Sequence, residues 1–150
     1  MRCHEVDDPI FGNAMQIVKV ELAPVDTVIA EAGEINYFDD SIAVETKMGD
    51  GSKPLSGILD SLLHVGKRVL TGESIFLTYF TNQGQGKKRV AFAAPYPGKI
   101  IPIDMADMGG ELICQKDAFL CAALGTEISI SFQRKLGTFF LAGKVLFCNT

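Results

Sequence analysis

Only two imidazoles are available to move a proton or hold a metal, His4 near the N-terminus and His64 in the middle of the chain. A metal centre built on them would need carboxylates or thiolates brought in from elsewhere, because no His-x-His or Cys-x-x-Cys spacing provides a local pair. Cys3 beside His4 could bind adventitious metal, yet Cys3, Cys114, Cys121 and Cys148 sit mainly in apolar runs, as buried thiols do. The expectation is no resident metal and no cofactor. Leu70-Thr71-Gly72-Glu73-Ser74 lacks the Gly-x-Ser-x-Gly elbow that would expose a serine nucleophile. In the acidic pairs Asp7-Asp8 and Asp39-Asp40, neighbours on a strand point to opposite faces and cannot converge on one substrate atom. Gly49-Asp50-Gly51 has too few acidic ligands for a calcium loop. No catalytic residue is assigned.

One cluster keeps a chemical reading. In Gly84-Gln85-Gly86-Lys87-Lys88-Arg89, glycine amides precede three basic side chains, so Lys87, Lys88 and Arg89 are candidates for contact with an anion. The spacing is not that of a Walker loop, and no aromatic is interleaved for base stacking. The competing reading is a solvated turn.

The elements that position these residues belong to a chain of 150 residues, 47% of them apolar, enough for a substantial core without crosslinks. Fourteen basic and 18 acidic residues are interspersed and leave a net charge of −4, which gives no general attraction to nucleic acid or anionic lipid. The charged start Met1-Arg2-Cys3-His4-Glu5 does not resemble a secretory signal. No window approaches the roughly 18 consecutive apolar residues of a spanning helix. The cytoplasm is the expected compartment.

Alternation of apolar and polar residues predicts an all-β protein. Val18, Val20 and Leu22 alternate with Lys19 and Glu21, and further strands are expected at 27–30, 35–38 and 42–47, with a bend or bulge at Gly33. Ser74–Phe80 and Val90–Ala94 flank the turn Asn82–Gly86 and read as a hairpin. Pro95-Tyr96-Pro97-Gly98 then leads into an expected strand at Lys99–Asp104, with Tyr96 favouring a cis bond to Pro97. Strands are also expected at 111–115, 118–121 and 128–132. A single short helix is predicted near residues 55–65, where Leu55, Ile58, Leu59, Leu62 and Leu63 recur at helical spacing after Pro54. Its stripe Leu59, Leu62 and Leu63 either packs on a sheet or meets a partner.

The chain also resembles itself. A shift of 84 residues lays Val28-Ile29-Ala30-Glu31 on Leu112-Ile113-Cys114-Gln115, and a two-residue insertion brings Ile42-Ala43-Val44-Glu45 to Ile128-Ser129-Ile130-Ser131. Leu70–Phe76 similarly matches Leu141–Phe147 across a shorter connection. The expected organisation is one compact β domain over 1–150, with a first repeat at about 15–104 and an incomplete second at about 110–150. The helix is then an insertion in the first copy.

Ala30-Glu31-Ala32-Gly33, Leu70-Thr71-Gly72-Glu73-Ser74, Ala93–Pro102 and Leu112–Leu120 together resemble the bacterial relatives of the mitochondrial biogenesis proteins named for altered inheritance of mitochondria. The resemblance runs from about residue 15 to Gly137. It implies a duplicated double-stranded β-helix, sandwich-like or barrel-like, similar to the tryptophan RNA-binding attenuator fold and usually forming homo-oligomers. It implies no enzymatic activity and carries over no catalytic residue. Thr138–Thr150 is rich in Phe and Leu where the family has a glycine-rich stretch. That departure predicts a truncated or altered C-terminus and an exposed β edge near Cys148.

The functional expectation is a non-enzymatic, homo-oligomeric assembly or scaffold protein that meets a protein partner or a membrane surface. Alternatives are a β-barrel binding a small ligand or anion and, by fold analogy alone, an RNA-binding protein; the composition disfavours nucleic acid.

Overall fold

The computed structural model describes residues 9–31, 33–48, 76–132 and 142–148. The predicted helix, with Leu59, Leu62 and Leu63, and both histidines lie outside them. The described chain is all-β: β1 (Ile10–Gly12), β2 (Gln16–Leu22), β3 (Thr27–Glu31), β4 (Ile35–Phe38), β5 (Ile42–Met48), β6 (Phe76–Asn82), β7 (Lys88–Ala93), β8 (Glu111–Gln115), β9 (Cys121–Ala123), β10 (Thr126–Phe132) and β11 (Ala142–Cys148). A 3-10 turn, η1 (Lys116–Ala118), links β8 to β9.

Every pairing is antiparallel and the strands form three sheets, ordered β1-β2-β7-β4 (sheet I), β5-β6-β3-β9 (sheet II) and β10-β11-β8 (sheet III). Period-two burial of Val18, Val20 and Leu22 turns β2 inward, where they meet Val90 and Phe92 of β7 and Val28, Ala30, Ile42 and Phe80 of sheet II. Ile29 and Leu77 leave sheet II on its opposite side and pack with Phe119 and Ile128, joined by Leu112 and Cys114. Sheet II therefore lies between two apolar cores, which is why Val28, Ile29 and Ala30 are all at most 3% exposed instead of alternating. In the first core, Phe80 and Phe92 meet edge to face with ring centroids 5.5 Å apart. Burial stabilises each such ring by about 1.5–3 kcal/mol.

Several expectations change. Strands β6 and β7 do not form a hairpin: β6 pairs with β3 and β5, β7 with β2 and β4, and the connection crosses between sheets. Lys99–Asp104 is not a strand but irregular chain, where Pro102 cannot donate a ladder hydrogen bond and Ile101 is 73% exposed. The Tyr96–Pro97 bond is trans, as are all described peptide bonds. Gly33 turns the chain at φ 102°, but the bulge falls just after it, between Ile35 and Tyr37 of β4. Finally, β11 is not an exposed edge near Cys148: it is the central strand of sheet III, paired on one side with β10 and on the other with β8.

The internal similarity has a geometric counterpart. A shift of 84 carries β3 onto β8 and β5 onto β10, and a shift of 66 carries β6 onto β11, with both ladder registers preserved. No two-residue insertion is needed between β5 and β10, and the counterpart of β11 is β6, Phe76–Asn82, not Leu70–Phe76. Because β9 hydrogen-bonds to β3, the later strands are tied into the sheet of the earlier ones.

Candidate functional site

Where the chain crosses from β6 to β7, Asn82 is fully buried. Its side-chain amide donates to the carbonyls of Leu22 at 2.9 Å and Gly86 at 2.7 Å, and its oxygen accepts from the Gly84 amide at 2.8 Å. These bonds fold residues 83–86 back towards the end of β2 and fix where the next three residues emerge. The candidate cations follow directly.

Lys87 reaches Glu21 at 2.6 Å, Lys88 pairs with Asp40, and Arg89 Nε lies 3.2 Å from Asp39 Oδ2. The Arg89 backbone amide also donates to Asp39 at 3.0 Å. That amide bond, with further help from the guanidinium, holds the Asp39 carboxyl below its usual range. The hydrogen bond that Lys87 donates to the Glu21 carboxylate pushes its ammonium above the usual value. The fold brings all three predicted residues together, each opposite a carboxylate. An arriving anion would have to compete with Glu21, Asp40 and Asp39 for them.

Two of these carboxylates belong to the β4–β5 turn, which is clamped further by the Gln83 amide donating to the Ser41 carbonyl at 2.9 Å. Ser41 takes a left-handed φ of 64° to make the turn. The turn joins β4 to β5, each at the edge of its own sheet among the described residues. The bulge in β4 lets both Ile35 and Phe38 face the first core, although they are three residues apart. Phe38 consequently leans on Phe80 with centroids 6.1 Å apart.

Between these two edges the first core reaches the surface. Phe38, Val44 and Phe76 are 47%, 46% and 43% exposed, and Phe80, the register partner of Val44, is 2% exposed beneath them. On the same face of the β5 edge the Thr46 and Thr78 hydroxyls bond to each other at 3.1 Å. Sequence reading missed this apolar rim because Val44 alternates like any core residue. Only the sheet order shows that nothing described lies beyond it.

Cys114 and Cys121 are half-buried thiols. Among the described residues no group of three or more His, Cys, Asp or Glu side chains is placed to hold a metal. No described helix is long and apolar enough to cross a membrane.

Residues 9–150 match the family described as mitochondrial biogenesis AIM24. The chain belongs to that family. The match continues through Thr150 and so includes the Phe- and Leu-rich segment that sequence reading set apart. An uncharacterized protein of Streptococcus pyogenes serotype M6, M6_Spy0233, is 24% identical over 91 residues, 61% of this chain and 35% of the relative. The crystal structure of protein SPYM3_0169 from Streptococcus pyogenes has the same fold, with a TM-score of 0.62 at 21% identity, over 93% of this chain and 62% of that one. The chain thus spans about a third of the length of the first of these proteins and somewhat under two thirds of the second.

Proposed function

We propose that this AIM24-family chain is a non-enzymatic assembly protein whose β units associate into a homo-oligomer and present loops to a protein partner or membrane surface. The observation that carries this reading is the apolar rim of Phe38, Val44 and Phe76, exposed between two edge strands. Meanwhile the most reactive-looking cluster is engaged with carboxylates, Lys87 with Glu21 of β2, and Lys88 and Arg89 with Asp40 and Asp39 of the β4–β5 turn. Large apolar side chains at a sheet margin favour association over chemistry on a small substrate. Light scattering together with flotation on anionic liposomes tests the reading. A stable oligomer supports it; a monomer that ignores both lipid and protein partners overturns it.

A second reading, anion binding at Lys87, Lys88 and Arg89, is favoured by their gathering at one corner. Phosphate titration followed by the resonances of these side chains tests it. Saturable shifts that weaken steeply with salt support it, and linear or absent shifts refute it.

A further inference from the structure

We propose that two copies of this chain join through β5, pairing antiparallel about a two-fold axis that passes Thr46, so that sheet II continues from one copy into the next. This rests on the assembly reading above and names its surface and its partner, a second copy. Among the described residues β5 is hydrogen-bonded only to β6, leaving a seven-residue strand with one open edge.

The register follows from charge. In antiparallel pairing directly opposed residues share a face, so a two-fold axis normal to the sheet must pass through a residue that meets its own copy. An axis at Glu45 would oppose two carboxylates, and one at Lys47 two ammonium groups. An axis at Thr46 sets Glu45 against Lys47 of the partner subunit, and Lys47 against Glu45 of the partner subunit. In a single copy these two side chains already lie on one face, with Lys47 Nζ 3.0 Å from Glu45 and 4.7 Å from the Tyr79 ring centroid. Glu45 is 67% and Lys47 59% exposed, open to a partner.

A lysine on an edge strand usually discourages pairing. Here Glu45, two residues before it, supplies its complement in this one register. On the other face the same pairing sets Val44 of each copy at the junction, with Phe76 one strand further in.

Sedimentation velocity on the full chain, compared with E45K, K47E and the E45K/K47E exchange, tests the proposal. The unchanged protein should dimerise. Each single substitution places like charges in both cross-axis pairs and should weaken dimerisation about tenfold or more, while the exchange should restore it. Thermal melts by circular dichroism should be nearly unchanged, which separates association from folding. As an independent readout, T46C should give a disulfide-linked dimer on oxidation that the unchanged protein does not form. If the protein dimerises but the single substitutions leave the dimer intact and T46C fails to crosslink, another surface is used: this proposal falls and the assembly reading stands. A monomer at every concentration overturns this proposal and the homo-oligomeric part of the assembly reading.

Discussion

The Asn82 side chain donates to the Leu22 carbonyl across 2.9 Å and so ties the end of β6 in sheet II to the end of β2 in sheet I. It is the hinge point of the sheet crossing, and no water reaches it. Asn82→Ala removes its three hydrogen bonds and strands the Leu22 and Gly86 carbonyls and the Gly84 amide. The expected loss is about 2–4 kcal/mol in urea unfolding. A loss below about 1 kcal/mol would mean that the crossing is held by other contacts.

The aromatic stack gives an ordered pair of effects. Phe80 is enclosed by Phe38 and Phe92, so Phe80→Ala should cost about 3–5 kcal/mol. Phe38 is half exposed and Phe38→Ala should cost about 1 kcal/mol. Equal losses on chemical denaturation would contradict the description of Phe38 as a rim residue.

Much of this was legible in the residues themselves. Val18, Val20 and Leu22 point inward as their spacing predicts, and Lys87, Lys88 and Arg89 do emerge together. The β6–β7 connection was not legible, because a polar, glycine-rich turn suits a hairpin and a sheet crossing equally well. What decides is the burial of Asn82 against β2, some sixty residues earlier in the chain. Lys99–Asp104 was misread because local apolar content resembles a strand, whereas strand identity requires a hydrogen-bonded neighbour. The rim at Val44 depends on sheet order, which no local pattern encodes.

Acid and alkali should act on different ends of the same corner. The Asp39 carboxyl is held below its ordinary value of 3.8, so its contribution is present above that value and lost as pH falls through the lower folded value. Lys87 is raised above its ordinary 10.5, so its contribution is present below 10.5 and lost as pH climbs through the higher folded value. Asp39→Asn should flatten the acid limb of stability below about pH 4 without altering the alkaline limb. Lys87→Gln should do the reverse. Both effects should be small, as befits solvated pairs. Urea midpoints measured across the pH range provide the check.

Two glycines with nearly the same φ should respond differently to alanine. Gly12 has φ 101° and a Cβ there would run into the Met15 carbonyl oxygen, whereas at Gly33, φ 102°, an added Cβ meets nothing within 4 Å among the described residues. Gly33→Ala should cost only the conformational penalty of about 1 kcal/mol. Gly12→Ala should cost about 2–3 kcal/mol, because the β1–β2 turn must also move. Comparable melting temperatures for the two variants would rule out the close approach at Gly12.

The way β2, β3, β4 and β5 find their partners bears on how the molecule comes into being. Of the five described strands in the first 48 residues, β1 and β2 pair with each other, but β3, β4 and β5 join the ladders of β6 and β7, which begin only at Phe76. A nascent chain emerging from the ribosome must therefore wait with several sticky, unmatched segments until residue 93 has been made. Closing such long loops is slow, and during that interval the polypeptide is most in need of a chaperone.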